Sequence, residues 1–126
     1  MFGGDMHKIL AVDADLYVLE CYKDFFTKAG FEIHTAEDAT SAMSKFGEIK
    51  PDVVILDMDL PGGGGKGVLE RLRNIFMSKV PVLFATMNPQ EVLDLCDDPN
   101  VFMVKKEFKT QALLITIKQA LTPEPA

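Results

Sequence analysis

The chain has 126 residues, of which 48% are hydrophobic and 25% charged, a composition that suits one ordinary globular domain needing no disulfide or metal to hold it together. Its net charge of −6 excludes a basic phosphate-backbone binder, so nucleic acid is not expected as a direct partner. No apolar run reaches the length of a membrane span and Met1 to Lys8 lacks a signal peptide's hydrophobic stretch, so the expectation is a soluble cytoplasmic protein with no membrane partner.

Residues 1–7 read as a flexible leader, 8–121 as one domain, and 122–126, ending Pro123-Glu124-Pro125-Ala126, as a tail or the start of a linker. Lys8 to Val12 predicts a short buried strand. Leu16 to Ala29 predicts a helix with Leu16, Leu19 and Phe26 on one side and Gly30 as its stop. Phe31 to Thr35 alternates like a strand, and Asp38 is placed to cap a helix carrying Ala39, Ala42, Met43 and Phe46 inward. Val53 to Leu56 is an unbroken apolar run after Pro51, as in strands buried on both faces. After four glycines, Gly62 to Gly65, the residues Val68, Leu69, Leu72, Ile75 and Phe76 recur at helical spacing. Pro81 to Ala85 predicts a fourth strand, Gln90 to Cys96 a short fourth helix, and Val101 to Val104 a fifth strand. Thr110 to Leu121 predicts a last helix presenting Leu113, Ile117 and Leu121.

Alternating strands and helices imply an α/β fold: a doubly wound parallel sheet with helices on both faces, for which five strands suit the flavodoxin-like order 2-1-3-4-5. In that order the carboxyl ends of strands 1, 3, 4 and 5 are neighbours. The residues just past them are Asp13, Asp57, Thr86 and Lys105. Two carboxylates held close repel unless a cation shares the site. Magnesium suits such a pair, since it takes oxygen ligands and keeps positions for water and phosphate. Asp13 and Asp57 can supply carboxylates and the backbone carbonyl of Asp59 a third oxygen. An aspartate carboxylate is also a known covalent acceptor of phosphoryl groups, and Lys105 with the Thr86 hydroxyl could neutralise the transferred oxygens.

With these residues the chain resembles the receiver domains of two-component response regulators, from about Lys8 to Leu121. Ile9-Leu10-Ala11-Val12-Asp13 resembles the family's first strand and acidic end. Val54-Ile55-Leu56-Asp57-Met58-Asp59-Leu60-Pro61-Gly62 resembles the strand and loop of its phosphoacceptor. Pro81-Val82-Leu83-Phe84-Ala85-Thr86 resembles the strand ending in the switch hydroxyl, and Phe102-Met103-Val104-Lys105 the strand carrying the switch aromatic and the lysine. The resemblance implies a non-enzymatic domain that takes a phosphoryl group on Asp57 from a histidine kinase or phosphotransfer protein, using magnesium. Thr86 would then move toward the phosphoryl oxygens and Phe102 would turn inward. The face formed by the fourth helix, fifth strand and last helix would be remodelled for a downstream protein or a fused output domain, and is also the candidate homodimer surface.

Four departures temper the likeness, one of them the run of four glycines, Gly62 to Gly65, where the family has a mixed loop, which raises backbone flexibility beside Asp57. Ala14 follows Asp13 where the family usually has a second acid, the one that touches the metal directly, so weak magnesium binding is expected, with Asp13 or Asp15 adjusting to compensate. Lys106 follows Lys105 where the family has a cis proline, and a non-proline cis bond costs roughly 3 kcal/mol, so a trans bond there could aim Lys105 differently. The span from Thr86 to Lys105 is short, which implies a stubby fourth helix and an altered signalling face.

Each residue also has a plainer reading. Asp57, and Asp13 with Asp15, could merely cap helices; Thr86 could be an ordinary strand-end hydroxyl, Lys105-Lys106 a solvated pair and Phe102 simply core. The glycine run before Lys66 fails as a nucleotide loop because Leu60 and Gly67 stand where Gly and Ser/Thr belong. Cys21 and Cys96 match no metal-ligand spacing and read as reduced thiols, and His7 and His34 have no visible partner. One rival function is a pseudo-receiver that binds partners without phosphorylation. Another is a haloacid-dehalogenase-like phosphatase, whose Asp-x-Asp fragment Asp57-Met58-Asp59 matches, although too little chain follows for that core.

Overall fold

A computed structural model describes residues 6–88, 90, 97–105 and 110–121. In chain order the elements are β1 (Lys8–Val12), α1 (Leu16–Lys28), β2 (Glu32–Ala36), α2 (Ala39–Ile49), β3 (Val53–Asp57), α3 (Gly64–Asn74), β4 (Val82–Thr86), β5 (Val101–Lys105) and α4 (Thr110–Leu121). The five strands are all parallel, in the order β2-β1-β3-β4-β5 expected of the doubly wound, flavodoxin-like class. Residues 1–5 of the expected leader, residues 91–96 of the expected short helix from Gln90 to Cys96, the Lys105–Lys106 bond and the tail over 122–126 lie outside the described residues.

Period-two alternation sorts the strands' side chains into two cores. Leu10, Val12, Val54, Leu56, Val82 and Phe84 pack with Ala39, Ala42, Phe46, Val68, Leu69 and Leu72 on the α2/α3 side. Ile9, Ala11, Val53, Ile55, Leu83 and Ala85 pack with Leu19, Tyr22, Phe26, Leu113 and Ile117 on the α1/α4 side. The central strands supply apolar side chains to both layers, which is why they read as unbroken Val/Ile/Leu runs.

Two helices begin on the caps their sequences offer. Asp15 accepts a hydrogen bond from the Tyr17 amide at 2.9 Å to start α1, and Asp38 accepts from the Ser41 amide at 2.7 Å to start α2. Each cap satisfies an amide that would lack a partner at a helix N-terminus.

Some boundaries depart from the sequence pattern. The second strand is shifted one residue to Glu32–Ala36, with Phe31 buried just before it. Leu16 is 58% exposed although it shares a helical spacing with Leu19. It occupies the first turn of α1, directly after the loop leaving β1, and the buried stripe begins one turn later with Leu19, Tyr22 and Phe26. Likewise α3 stops at Asn74, so Ile75 and Phe76 are not part of its inward face. Ile75 is 70% exposed, and Phe76 instead lays its ring against Phe46, centroids 5.0 Å apart.

Candidate functional site

The strand register brings the expected residues to one edge of the sheet. Val12 pairs with Leu56, which sets Asp13 beside Asp57. Asp57 pairs with Ala85, and Thr86, the next residue, pairs with Lys105. With adjacent strands about 4.8 Å apart, Asp57 and Lys105 start from backbones roughly 10 Å apart, a gap that a lysine's four-carbon stem largely spans.

The alternation that divides the cores also divides the site. Asp13 and Asp57 continue the series Ile9-Ala11 and Val53-Ile55, so both carboxylates are rooted on the α1/α4 side. Thr86 continues Val82-Phe84 on the α2/α3 side. Lys105 alternates with Phe102 and Val104, both of which pack on the α1/α4 side, so it shares the root of Thr86. The rim is therefore built from an acidic pair on one face and a hydroxyl and an ammonium on the other.

Asp13 is 2% exposed. Its backbone amide donates to the Ala36 carbonyl at 3.1 Å, and its Oδ1 accepts from the Asp15 amide at 2.9 Å. That second bond fixes Asp15 with its own carboxylate turned onto the α1 N-terminus. Asp15 thus serves as the helix cap, and its Oδ1 is committed to Tyr17. Asp57 is half-buried at the end of β3, and its Oδ1 accepts from the Asp59 amide at 3.4 Å. Among the described residues, no three His, Cys, Asp or Glu side chains gather to cage a metal, so a divalent ion here would rely on two carboxylates and a backbone carbonyl.

Tyr22 was not singled out from the sequence. Its phenol is pushed well above the ordinary tyrosine value, first by burial and then by the negative fields of Asp13 and Asp57. Both acids thus face the buried phenol on α1, in agreement with the alternation. Sequence spacing signals only its burial: Leu19, Tyr22 and Phe26 stand at positions i, i+3 and i+7 of the buried stripe.

Thr86 is 4% exposed, and its hydroxyl is engaged locally. Oγ1 accepts from the Asn88 amide at 3.1 Å and donates to the Asn88 carbonyl at 3.4 Å. Lys105 is exposed at the end of β5, and Phe102 is half-buried against the α1/α4 core.

The glycine loop after Asp57 is tightly seated. A Cβ at Gly65 would overlap the Asp57 carbonyl oxygen and come within 3.0 Å of the Phe84 ring, so only glycine lets α3 begin this close to Asp57. Gly64 has φ +74°, a left-handed conformation that side chains rarely adopt. The loop is tied sideways where the Ala39 amide donates to the Pro61 carbonyl at 3.1 Å.

The response regulator receiver domain family model matches residues 9–118, and the chain belongs to that family. Among solved structures it is similar to chemotaxis protein CheY4 of Vibrio cholerae, at 27% identity and a TM-score of 0.83 over 92% of this chain and 99% of that one. It is also similar to response regulator TrrA of Thermotoga maritima, solved in complex with Mg2+-BeF, at 28% identity and TM-score 0.81 over 92% and 100% of the two chains. A response regulator receiver domain protein from Clostridium thermocellum matches at 26% identity and TM-score 0.81, over 92% and 94%. The protein is thus the receiver domain of a two-component response regulator, a class of generally non-enzymatic signalling modules. None of its described helices is long and apolar enough to cross a membrane.

Proposed function

We propose that this receiver accepts a phosphoryl group on Asp57 from the phosphohistidine of a histidine kinase or phosphotransfer protein, and that the modified rim changes the surface offered to a downstream partner. The observation that carries the reading is the buried Asp13 beside Asp57 on one face of the sheet, with Tyr22 feeling both charges. Two acids kept side by side with oxygen-only donors suit a hard divalent cation. Magnesium would be held by Asp13, Asp57 and the Asp59 carbonyl, and when bound it supplies neutralising charge for the incoming phosphoryl oxygens.

The residues then divide the work. An Asp57 carboxylate oxygen attacks phosphorus, the P–N bond of the phosphohistidine breaks, and the imidazole nitrogen leaves with the bonding pair. Lys105 offers its ammonium to the phosphoryl oxygens. Thr86 offers its hydroxyl after giving up the donor bond to Asn88, and Phe102, on the other face of the sheet, turns inward as the family's switch aromatic does. Asp15, committed to the helix cap, does not replace the acid absent at Ala14, so magnesium is held weakly.

Incubation with acetyl phosphate and magnesium, read by intact mass, tests this. One phosphoryl adduct is expected, lost in Asp57→Ala. An unmodified protein under those conditions would favour a second reading, a phosphorylation-independent pseudo-receiver, for which the engaged Asp15 and Thr86 side chains and Ala14 speak.

A further inference from the structure

The turn after α3 exposes three consecutive apolar side chains at the amino edge of the sheet, opposite the Asp57 rim. Ile75 is 70%, Phe76 40% and Met77 78% exposed. Met77 has φ +53°, in the left-handed region, a position at the end of a helix that normally falls to glycine. The last turn loosens around it: the Phe76 amide reaches back to the Arg71 carbonyl and the Ser78 amide to the Leu72 carbonyl, at 3.1 and 2.9 Å. The Arg73 guanidinium then fastens the far side of the turn, donating to Asp98 Oδ2 at 2.7 Å and the Ser78 carbonyl at 3.1 Å. Phe76 rests on Phe46 and comes close to Gly47, where a Cβ would lie 3.5 Å from its ring. The apolar residues are thus held out on a braced turn.

Two exposed lysines lie close to the turn on a molecule that is acidic overall. Lys50 caps α2 beside Phe46, to whose carbonyl its amide is bonded at 3.1 Å, and Lys79 lies two residues beyond Met77. Both are exposed, and neither lies within ion-pair distance of a carboxylate among the described residues. The nearest acids in sequence to Lys50 are Glu48, which is exposed, and Asp52, whose Oδ2 accepts from the Lys8 amide at 2.7 Å. The patch, on the order of 400 Å², falls in the range of functional surface patches. It is well below the roughly 800 Å² that each partner contributes to a stable protein interface, and like charges of −6 oppose a second copy. The same net charge opposes an anionic membrane.

We infer that Ile75, Phe76 and Met77, between Lys50 and Lys79, form a docking surface for an amphipathic segment of another protein whose apolar anchors are flanked by Asp or Glu. The surface lies at the far end of the sheet from Asp57 and works independently of its phosphorylation.

The probe is a synthetic amphipathic peptide with a leucine stripe and glutamate elsewhere, paired with a version carrying lysine for glutamate. It is titrated into the whole chain while methyl and amide NMR signals are followed. The glutamate peptide is expected to shift Ile75, Phe76, Met77, Lys50 and Lys79, and to bind at least about tenfold more tightly than the lysine version, a difference of about 1.4 kcal/mol. Met77→Gly suits the turn's backbone yet removes the anchor, so it should weaken binding several-fold while Asp57 still accepts a phosphoryl group. Lys50→Glu with Lys79→Glu should abolish binding, and Asp57→Ala should leave it unchanged. Four results overturn the inference: equal affinity for both peptides, no binding of either, sedimentation onto phosphatidylglycerol vesicles without peptide binding, or concentration-dependent self-association shifting the same signals.

Discussion

At Ala14 one methyl group stands where a receiver usually carries its second acid. Asp15 is the nearest candidate, but moving its carboxylate would uncap α1, which costs about 1 kcal/mol. Restoring the acid is therefore predicted to strengthen metal binding: Ala14→Asp should raise magnesium affinity by at least about tenfold, measured by titration calorimetry or manganese paramagnetic relaxation. An unchanged affinity would locate the metal elsewhere.

Tyr22 gives a second prediction at this scale. Its folded pKa is raised above the ordinary tyrosine value of 10.0, so the neutral phenol is favoured in the folded protein. Its contribution is complete below pH 10. Above that the unfolded chain releases the proton while the folded one keeps it, and stability declines, by up to about 1.4 kcal/mol per pH unit from this group. Urea unfolding from neutral to alkaline pH should show a fall in the wild type that is shallower in Tyr22→Phe. The acidic pair was legible in the sequence because strand ends can be counted. Tyr22 was not, since a phenol in an apolar stripe reads as core until the sheet shows which charges it faces.

Helix ends were the least legible elements. Asp38 announces the start of α2, and Asp15 stands where a cap for α1 belongs. The end of α3 carries neither Gly nor Pro, and Ile75 and Phe76 continue the helical period, so periodicity ran past Asn74. The left-handed Met77 and the Arg73 side chain set that boundary, and Arg73 acts on a partner 25 residues away that no local pattern reveals. Arg73 and Asp98 are 17% and 27% exposed, and Arg73 also donates to the carbonyls of Ser78 and Asn100. Burial pushes the Asp98 carboxyl up, but the bonds from Arg73 and the Asn100 amide outweigh it and leave the pKa below its usual 3.8. Arg73→Ala should cost about 2 kcal/mol at neutral pH. Because the lowered pKa contributes stability that is lost as pH falls through the folded value, the difference between variant and wild type should shrink below about pH 4. A pH-independent difference would mean that Arg73 acts through packing alone.

For the whole molecule, strand order and both apolar layers followed from alternation and connection rules, since right-handed crossovers leave few ways to arrange five parallel strands. Side-chain commitments at the rim, such as Thr86 to Asn88, did not follow, because hydroxyls choose among near-equal partners only once the loop exists. The two cores lie on opposite faces of shared strands, with Phe84 fully buried in one and Phe26 in the other. Trimming either to leucine should cost about 1–2 kcal/mol and shift one common unfolding transition. Separate transitions seen by near-UV and far-UV dichroism would mean that the layers melt independently.

On the proposed reading, the acids that would receive the phosphoryl group and the Thr86 and Lys105 groups that would answer it spring from opposite sides of the β-sheet, while Phe102 shares the side of the acids. A cavity cut beneath Thr86 in the α2/α3 layer would then disturb the hydroxyl first and one cut beneath Tyr22 the acidic pair first, so each half of the rim can be perturbed from its own core.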